Sequence, residues 1–233
     1  MGILIKINDV TFTNTVGYAN YPIIPQLKNL YFFGGTEAKS LIDKSGNGND
    51  GAVTGTITVS DNYITFSTVA NSNYIQGPNG VTSGTSKIAG VALVKKTGPR
   101  GVITMATTTS GFIFGTERVS YTDSDGWKTH AFTLADAEGF YPMAWICDGT
   151  GIYAYRLSSE GTLTQIYKIS GGDFTTASAQ KITFGGSVNN WAMTGSADIA
   201  VVAYYEGEVS RDHLLNALEY CKAYGESKGF VII

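Results

Sequence analysis

Leu41-Ile42-Asp43-Lys44-Ser45-Gly46-Asn47-Gly48-Asn49-Asp50-Gly51 is the stretch on which the reading of this chain turns. Glycine takes positive φ at no steric cost, while Asn, Asp and Ser side chains bond backbone groups two residues on. Such a run cannot propagate a helix or a ladder. It reads as a tight polar turn near the start of a chain of β-strands.

Outward from the turn, period-two or short apolar runs broken by Gly, Asn, Asp and Ser mark strands. They fall at 63–66, 87–95, 101–105, 111–114, 118–121, 127–134, 142–147, 152–157, 162–169, 181–184 and 197–205. Asp148-Gly149-Thr150-Gly151 separates two of them with residues that tolerate positive φ and predicts a hairpin turn. Ala144-Trp145-Ile146-Cys147, just before it, reads as core, and Trp127 and Trp145 are both expected inside. Many strands at close spacing with no helix between them predict an all-β, antiparallel two-sheet β-sandwich.

Both ends differ from this pattern. A short β-like run at 3–7 is followed by polar residues and then by Tyr18, Tyr21, Pro22 and Pro25. Proline cannot donate to a ladder and restricts the residue before it, so residues 1–30 read as an extended attachment arm and 31–233 as one sandwich domain. Ser210 is an N-cap type with Asp212 in the first turn and Gly225 as a stop signal, which places the one C-terminal helix at 211–224. Leu214, Leu215, Leu218 and Cys221 recur on one side of it. The apolar tail at 229–233 predicts a terminal strand pairing with its own sheet or with another subunit.

Composition narrows the function. The 233 residues carry a net charge of -3 and only 15% charged residues, with scattered Lys and Arg. No basic stripe is present for a phosphate backbone, so nucleic acid is not an expected partner. No apolar run approaches the ~18 residues of a membrane span, and the N-terminal apolar run is too short for a signal-peptide core. Neither membrane insertion nor export is therefore expected. Cys147 and Cys221 are expected as buried free thiols, with a disulfide as the alternative.

Three segments together resemble the concanavalin A-like lectin/glucanase superfamily, in particular its laminin G-like, pentraxin-like jelly-roll branch. They are 43–51; Asp125-Gly126-Trp127-Lys128-Thr129-His130-Ala131-Phe132, similar to a "G-x-W-H-H-V-A" strand with Lys128 in place of the first histidine; and Ile182-Thr183-Phe184-Gly185-Gly186 with Trp191, Gly195, 197–201, Tyr204, Tyr205 and Ser210. The resemblance spans residues 30–225 and implies a binding module. The arm, the long helix and the terminal strand lie outside the minimal lectin module. They look like the additions on phage tail or capsid-associated proteins, made in the bacterial cytoplasm and assembled into the virion.

The chemistry of catalysis is thinly represented. Glucan-cutting members of the superfamily carry alternating carboxylates that face one side of a strand. Glu206-Gly207-Glu208 is the near match, but it falls beyond the expected strand end, where solvated turn carboxylates are the plainer reading. His130 and His213 are the only histidines and have no nucleophile motif beside them. The chain offers no zinc-ligand spacing. Asp43 with Asn47, Asn49 and Asp50, and Asp123 with Asp125, supply oxygen ligands without the spacing of a calcium loop. No catalytic residue, metal or cofactor is assigned.

Glycan binding asks for an aromatic platform with amides nearby, and Trp191 directly after Asn189 and Asn190 meets that description. Trp191, Asn189 and Asn190 are the candidate ligand-binding residues, against the alternative of a tryptophan folded over the sandwich rim. The leading expectation is a non-catalytic module of a phage fibre, tail appendage or capsid decoration. It would contact a host-surface glycan or other virion proteins as a homo-oligomer or part of a larger assembly. The alternatives are a free bacterial lectin, with or without calcium, and a glycoside hydrolase.

Overall fold

Strand periodicity explains most of the architecture in a computed structural model that describes residues 21–67, 73–80, 87–96, 98–106, 111–123, 125–134, 138–170, 181–186 and 195–233. In chain order the elements are β1 (Leu27–Phe32), α1 (Glu37–Ser40), β2 (Ala52–Thr54), β3 (Thr58–Val59), β4 (Ile64–Phe66), β5 (Tyr74–Gly80) and β6 (Ile88–Lys96). There follow β7 (Gly101–Ala106), β8 (Gly111–Gly115), β9 (Arg118–Asp123), β10 (Gly126–Ala131), β11 (Tyr141–Cys147) and β12 (Gly151–Leu157). The last are β13 (Leu163–Ser170), β14 (Lys181–Phe184), β15 (Ala197–Glu206) and α2 (Arg211–Ser227).

They form two antiparallel sheets, the all-β sandwich expected from the sequence. One runs β13-β12-β11-β6-β15-β4-β3, with β1 also on β15; the other runs β10-β9-β8-β7-β14-β5-β2. β4 pairs with the first residues of β15 and β1 with its last, so the two share one edge of that strand. At the opposite side of the sandwich Tyr167 of β13 reaches Phe132 (ring centroids 5.8 Å apart) and His130 (6.0 Å), closing the gap between the outermost strands.

The first sheet is buried on both faces. Along β6, Ile88, Ala92 and Val94 enter the core between the sheets, whereas Ala89, Val91 and Leu93 enter a second core under α2. This is why the strand reads as an unbroken apolar run. β15 serves both cores by a bulge. Ile199 faces Val94 and Val201 faces Leu93, leaving Ala200 as the extra residue. Ala197 and Ile199 point into the sandwich before it and Val202 and Tyr204 after it, while Val201, Ala203 and Tyr205 turn to the helix.

Helix α2 begins as expected, with the Ser210 side chain accepting from His213 N at 3.1 Å. It ends later than Gly225. Gly225 lies inside the helix, where an added Cβ would sit 2.7 Å from Ile232 Cδ1 and 3.0 Å from Leu93 Cδ2. The stop is Gly229, at φ 76°, with Gly229 N donating to Glu226 O and Phe230 N to Gly225 O. That is the paired hydrogen bonding of a Schellman motif.

The sequence division at residue 30 falls within β1. Tyr21 is buried, its hydroxyl 2.7 Å from that of Tyr205, and Leu27 and Leu30 join the core under α2. The terminal segment makes one parallel bridge, Phe140 to Ile232, and the Phe140 and Phe230 rings stack with centroids 4.1 Å apart. Trp145 is fully buried, but Trp127 corrects an expectation. It lies partly exposed on outermost strand β10, opposite Thr122 and off the inward-facing Tyr121, and donates Nε1 to Thr129 Oγ1 at 3.1 Å. Both cysteines are buried free thiols.

Candidate functional site

The glycine-rich turn is consumed by its own structure. Asp43 Oδ1 accepts from Leu30 N (2.9 Å) and Ser45 N (3.0 Å), and Oδ2 from Ser45 Oγ (2.6 Å) and Asn49 N (3.0 Å). Asp50 Oδ1 accepts from Asp43 N at 2.8 Å, and Asn47 and Asn49 donate to the Leu27 and Lys28 carbonyls. Gly46 and Gly48 supply positive φ at 89° and 69°. The oxygens that suggested a cation loop thus bind backbone and staple the turn to β1. Among the described residues no group of three or more His, Cys, Asp or Glu converges as a metal site would.

Other marked residues are also dispersed. Glu206 closes β15 and accepts from Tyr204 Oη at 3.2 Å, while Glu208 pairs with Lys87 at 2.8 Å. His130 stacks beside Tyr121, and the His213 ring lies edge-on to Tyr205. Asn189, Asn190 and Trp191 lie outside the described residues.

The site that sequence reasoning missed is a cleft where the β11–β12 hairpin meets the start of α2. It encloses about 310 Å³ and is lined by Lys87, Cys147, Asp148, Tyr153, Tyr155 and the segment 207–211. Period two on β12 puts Tyr153 and Tyr155 on one face, with ring centroids 6.5 Å apart and planes 17° from parallel. The Arg211 guanidinium sits 5.8 Å from the Tyr155 ring centroid, and Lys168 Nζ lies 5.7 Å from that of Tyr153.

The hairpin turn fixes Asp148 at the mouth. Gly149 takes φ 85°, and Asp148 N donates to Gly151 O. Asp148 Oδ1 accepts from Thr150 Oγ1 (2.7 Å), Thr150 N (2.8 Å) and Gly151 N (3.0 Å), and Oδ2 accepts nothing from the described residues. Burial pushes this carboxyl up, but those hydrogen bonds outweigh it and hold its pKa below the usual value. Burial also raises the Tyr155 phenol; Arg211 pulls it down and Asp148 pushes it up, so both charges reach this hydroxyl. The Cys147 thiol, which belongs to the core between the sheets, is pushed up to about 11 by burial, against a backbone hydrogen bond from Gly149, and is no ready nucleophile.

Chemically the cleft pairs aromatic surface with a few convergent polar groups. Lys87 and Glu208 satisfy each other. Arg211, Asp148 Oδ2 and the Tyr153 and Tyr155 hydroxyls make no hydrogen bond or ion pair with the described residues. No motif announces this site, because its parts come from three chain segments; the alternating tyrosines of Gly151–Leu157 were its one local signal.

No protein-family model matches the sequence, and no curated protein does. Solved structures match its fold. Domain 4 of AbnA, an extracellular GH43 arabinanase of Geobacillus stearothermophilus seen in complex with arabinotriose, is 16% identical over 83% of this chain and 98% of that one, with a TM-score of 0.62. Botulinum neurotoxin type C, described as entering cells through two ganglioside molecules, is 11% identical over 87% of this chain, with a TM-score of 0.60. The binding domain of Paraclostridial Mosquitocidal Protein 1 is 12% identical over 82%, with a TM-score of 0.56. This chain spans about half the length of the two toxin chains (53% and 52%), and at these identities the likeness is one of fold.

Proposed function

We propose that this chain is a non-catalytic binding module that recognises saccharide. The observation that carries the reading is the cleft itself, where tyrosine rings, one uncommitted guanidinium and one uncommitted carboxylate oxygen surround about 310 Å³. That combination of apolar surface and sparse polar groups suits a hydroxyl-rich ligand. Glycoside hydrolysis would instead need one carboxyl held protonated as general acid. Asp148 is held in the opposite direction, and Glu208 is engaged by Lys87 at 2.8 Å. Two neighbours in fold, one in complex with arabinotriose and one reliant on gangliosides, support the same class.

The narrower form of the proposal places the module in a phage particle, made in the bacterial cytoplasm and assembled with other virion proteins as an oligomer or part of a larger assembly. It rests on the sequence resemblance and on the segment preceding Tyr21. Antibody labelling of intact particles is its test, and particles that carry no label exclude it. For the module itself, a glycan array of the full chain should show saturable binding, and a reducing-end assay on the bound glycans should show no release. Released ends that disappear in Glu208→Gln would make the protein an enzyme.

A further inference from the structure

We infer that the cleft between the β11–β12 hairpin and the start of α2 takes a neutral saccharide, with a sugar face on Tyr153 and Tyr155 and hydroxyls shared between Arg211 and Asp148. The inference deepens the saccharide-binding reading and rests on it.

Charge decides the ligand class. Lys87 and Glu208, 2.8 Å apart, cancel. Among the lining residues this leaves one cation, Arg211, 5.8 Å from the Tyr155 ring centroid, and one anion, Asp148, which act on the Tyr155 hydroxyl in opposite directions; Lys168 stands outside the lining, 5.7 Å from the Tyr153 ring centroid. An acidic sugar would gain Arg211 but set its carboxylate against Asp148. A cationic group would gain Asp148 and meet Arg211. A neutral diol satisfies both, accepting from the guanidinium and donating to Asp148 Oδ2, with no like-charge cost. The Asp148 carboxyl, held below its usual pKa, stays an acceptor through the neutral pH range.

The supports are rigid. Asp148 is locked by three hydrogen bonds from its own turn. Tyr155 is buried with Leu214 and Leu218 of α2, and Arg211 is the first residue of that 17-residue helix. A volume of about 310 Å³ lies at the lower end of the ~300–1,000 Å³ usual for ligand sites, which fits a short saccharide end.

The test is calorimetry and amide NMR on the full chain, with arabinotriose and other neutral trisaccharides in one arm and sialyllactose and digalacturonate in the other. Neutral ligands should bind, shifting the Gly151 and Gly207 amides. Affinity should fall about tenfold in Arg211→Ala and in Tyr153→Ala, as loss of a charge-assisted bond or a stacking face requires. Arg211 is exposed and Tyr153 partly so, and unchanged melting curves would show that both variants fold. Neutral ligands that bind Arg211→Ala and Tyr153→Ala as tightly as the parent would overturn the cleft while leaving a saccharide module. Acidic ligands that bind at least as tightly as neutral ones, with the same variant losses, would overturn the charge argument. No binding by any ligand in either arm would remove both readings.

Discussion

At the scale of single residues, Asp43 shows how a motif that resembles a ligand site can be wholly structural. Its carboxylate accepts from two donors on each oxygen, and the Asp43 side chain is itself buried. Removing it strands the Leu30 and Asn49 amides, and a stranded buried donor costs roughly 1–3 kcal/mol. Asp43→Ala should therefore destabilise the fold by about 3 kcal/mol in urea titration, whereas Asp43→Asn, keeping one acceptor oxygen, should lose less. An Asp43→Ala variant within about 0.5 kcal/mol of the parent would mean that the turn is not the staple described. Arg100 makes the parallel case for cations. Fully buried, it donates Nε to Gly185 O at 2.7 Å and Nη2 to Asn73 O at 3.1 Å, a tie between loops that no sequence pattern marks.

At the scale of elements, the end of α2 separates two uses of glycine. Gly225 is needed for close approach, whereas at Gly229 an added Cβ would meet nothing within 4 Å and only the φ of 76° demands glycine. Gly229→Ala should therefore cost about 1 kcal/mol and Gly229→Asn less, since asparagine tolerates the left-handed region. Equal losses in thermal melts would argue that the Schellman geometry is not retained. The same helix shows where legibility stops. Its start is legible because Ser210 is a local cap, but the glycine at 225 does not mark its end, because that residue's reason for being glycine is the distant Leu93 and Ile232. Strands announced themselves wherever alternation was clean. β1 is hidden because Pro22 and Pro25 just before it draw its first residues into the extended arm, and β5 because Gly77 and Pro78 look like turn residues. Trp127 shows the remaining gap, since alternation reveals a strand without saying which face is buried.

At the scale of the molecule, the proposed site and the second core meet on the outer face of the first sheet, a surface the minimal sandwich would leave to solvent. There α2 and the segment from Tyr21 bury a second core, and the helix start completes the cleft with Arg211, so the site exists only because the extra helix docks. The cleft could not be read from the sequence for the same reason: its polar groups converge only after two layers have become three. The chain end locks this third layer. Phe230 stacks on Phe140 and contacts Tyr63 with centroids 6.2 Å apart, and Ile232 bridges to Phe140, while Val231 points outward at 67% exposure. Burying one aromatic and one aliphatic side chain contributes roughly 1.5–3 kcal/mol each. Deleting residues 230–233 should then cost about 3–5 kcal/mol and lower Tm by roughly 6–20 °C, given ~2–4 °C per kcal/mol for a domain of this size. Val231→Ser in the intact chain should leave Tm within about 1 °C, because an exposed side chain has little burial to lose. If the deletion melts like the parent, the tail is not the clasp on α2, and the cleft must be held by the helix and its cap alone.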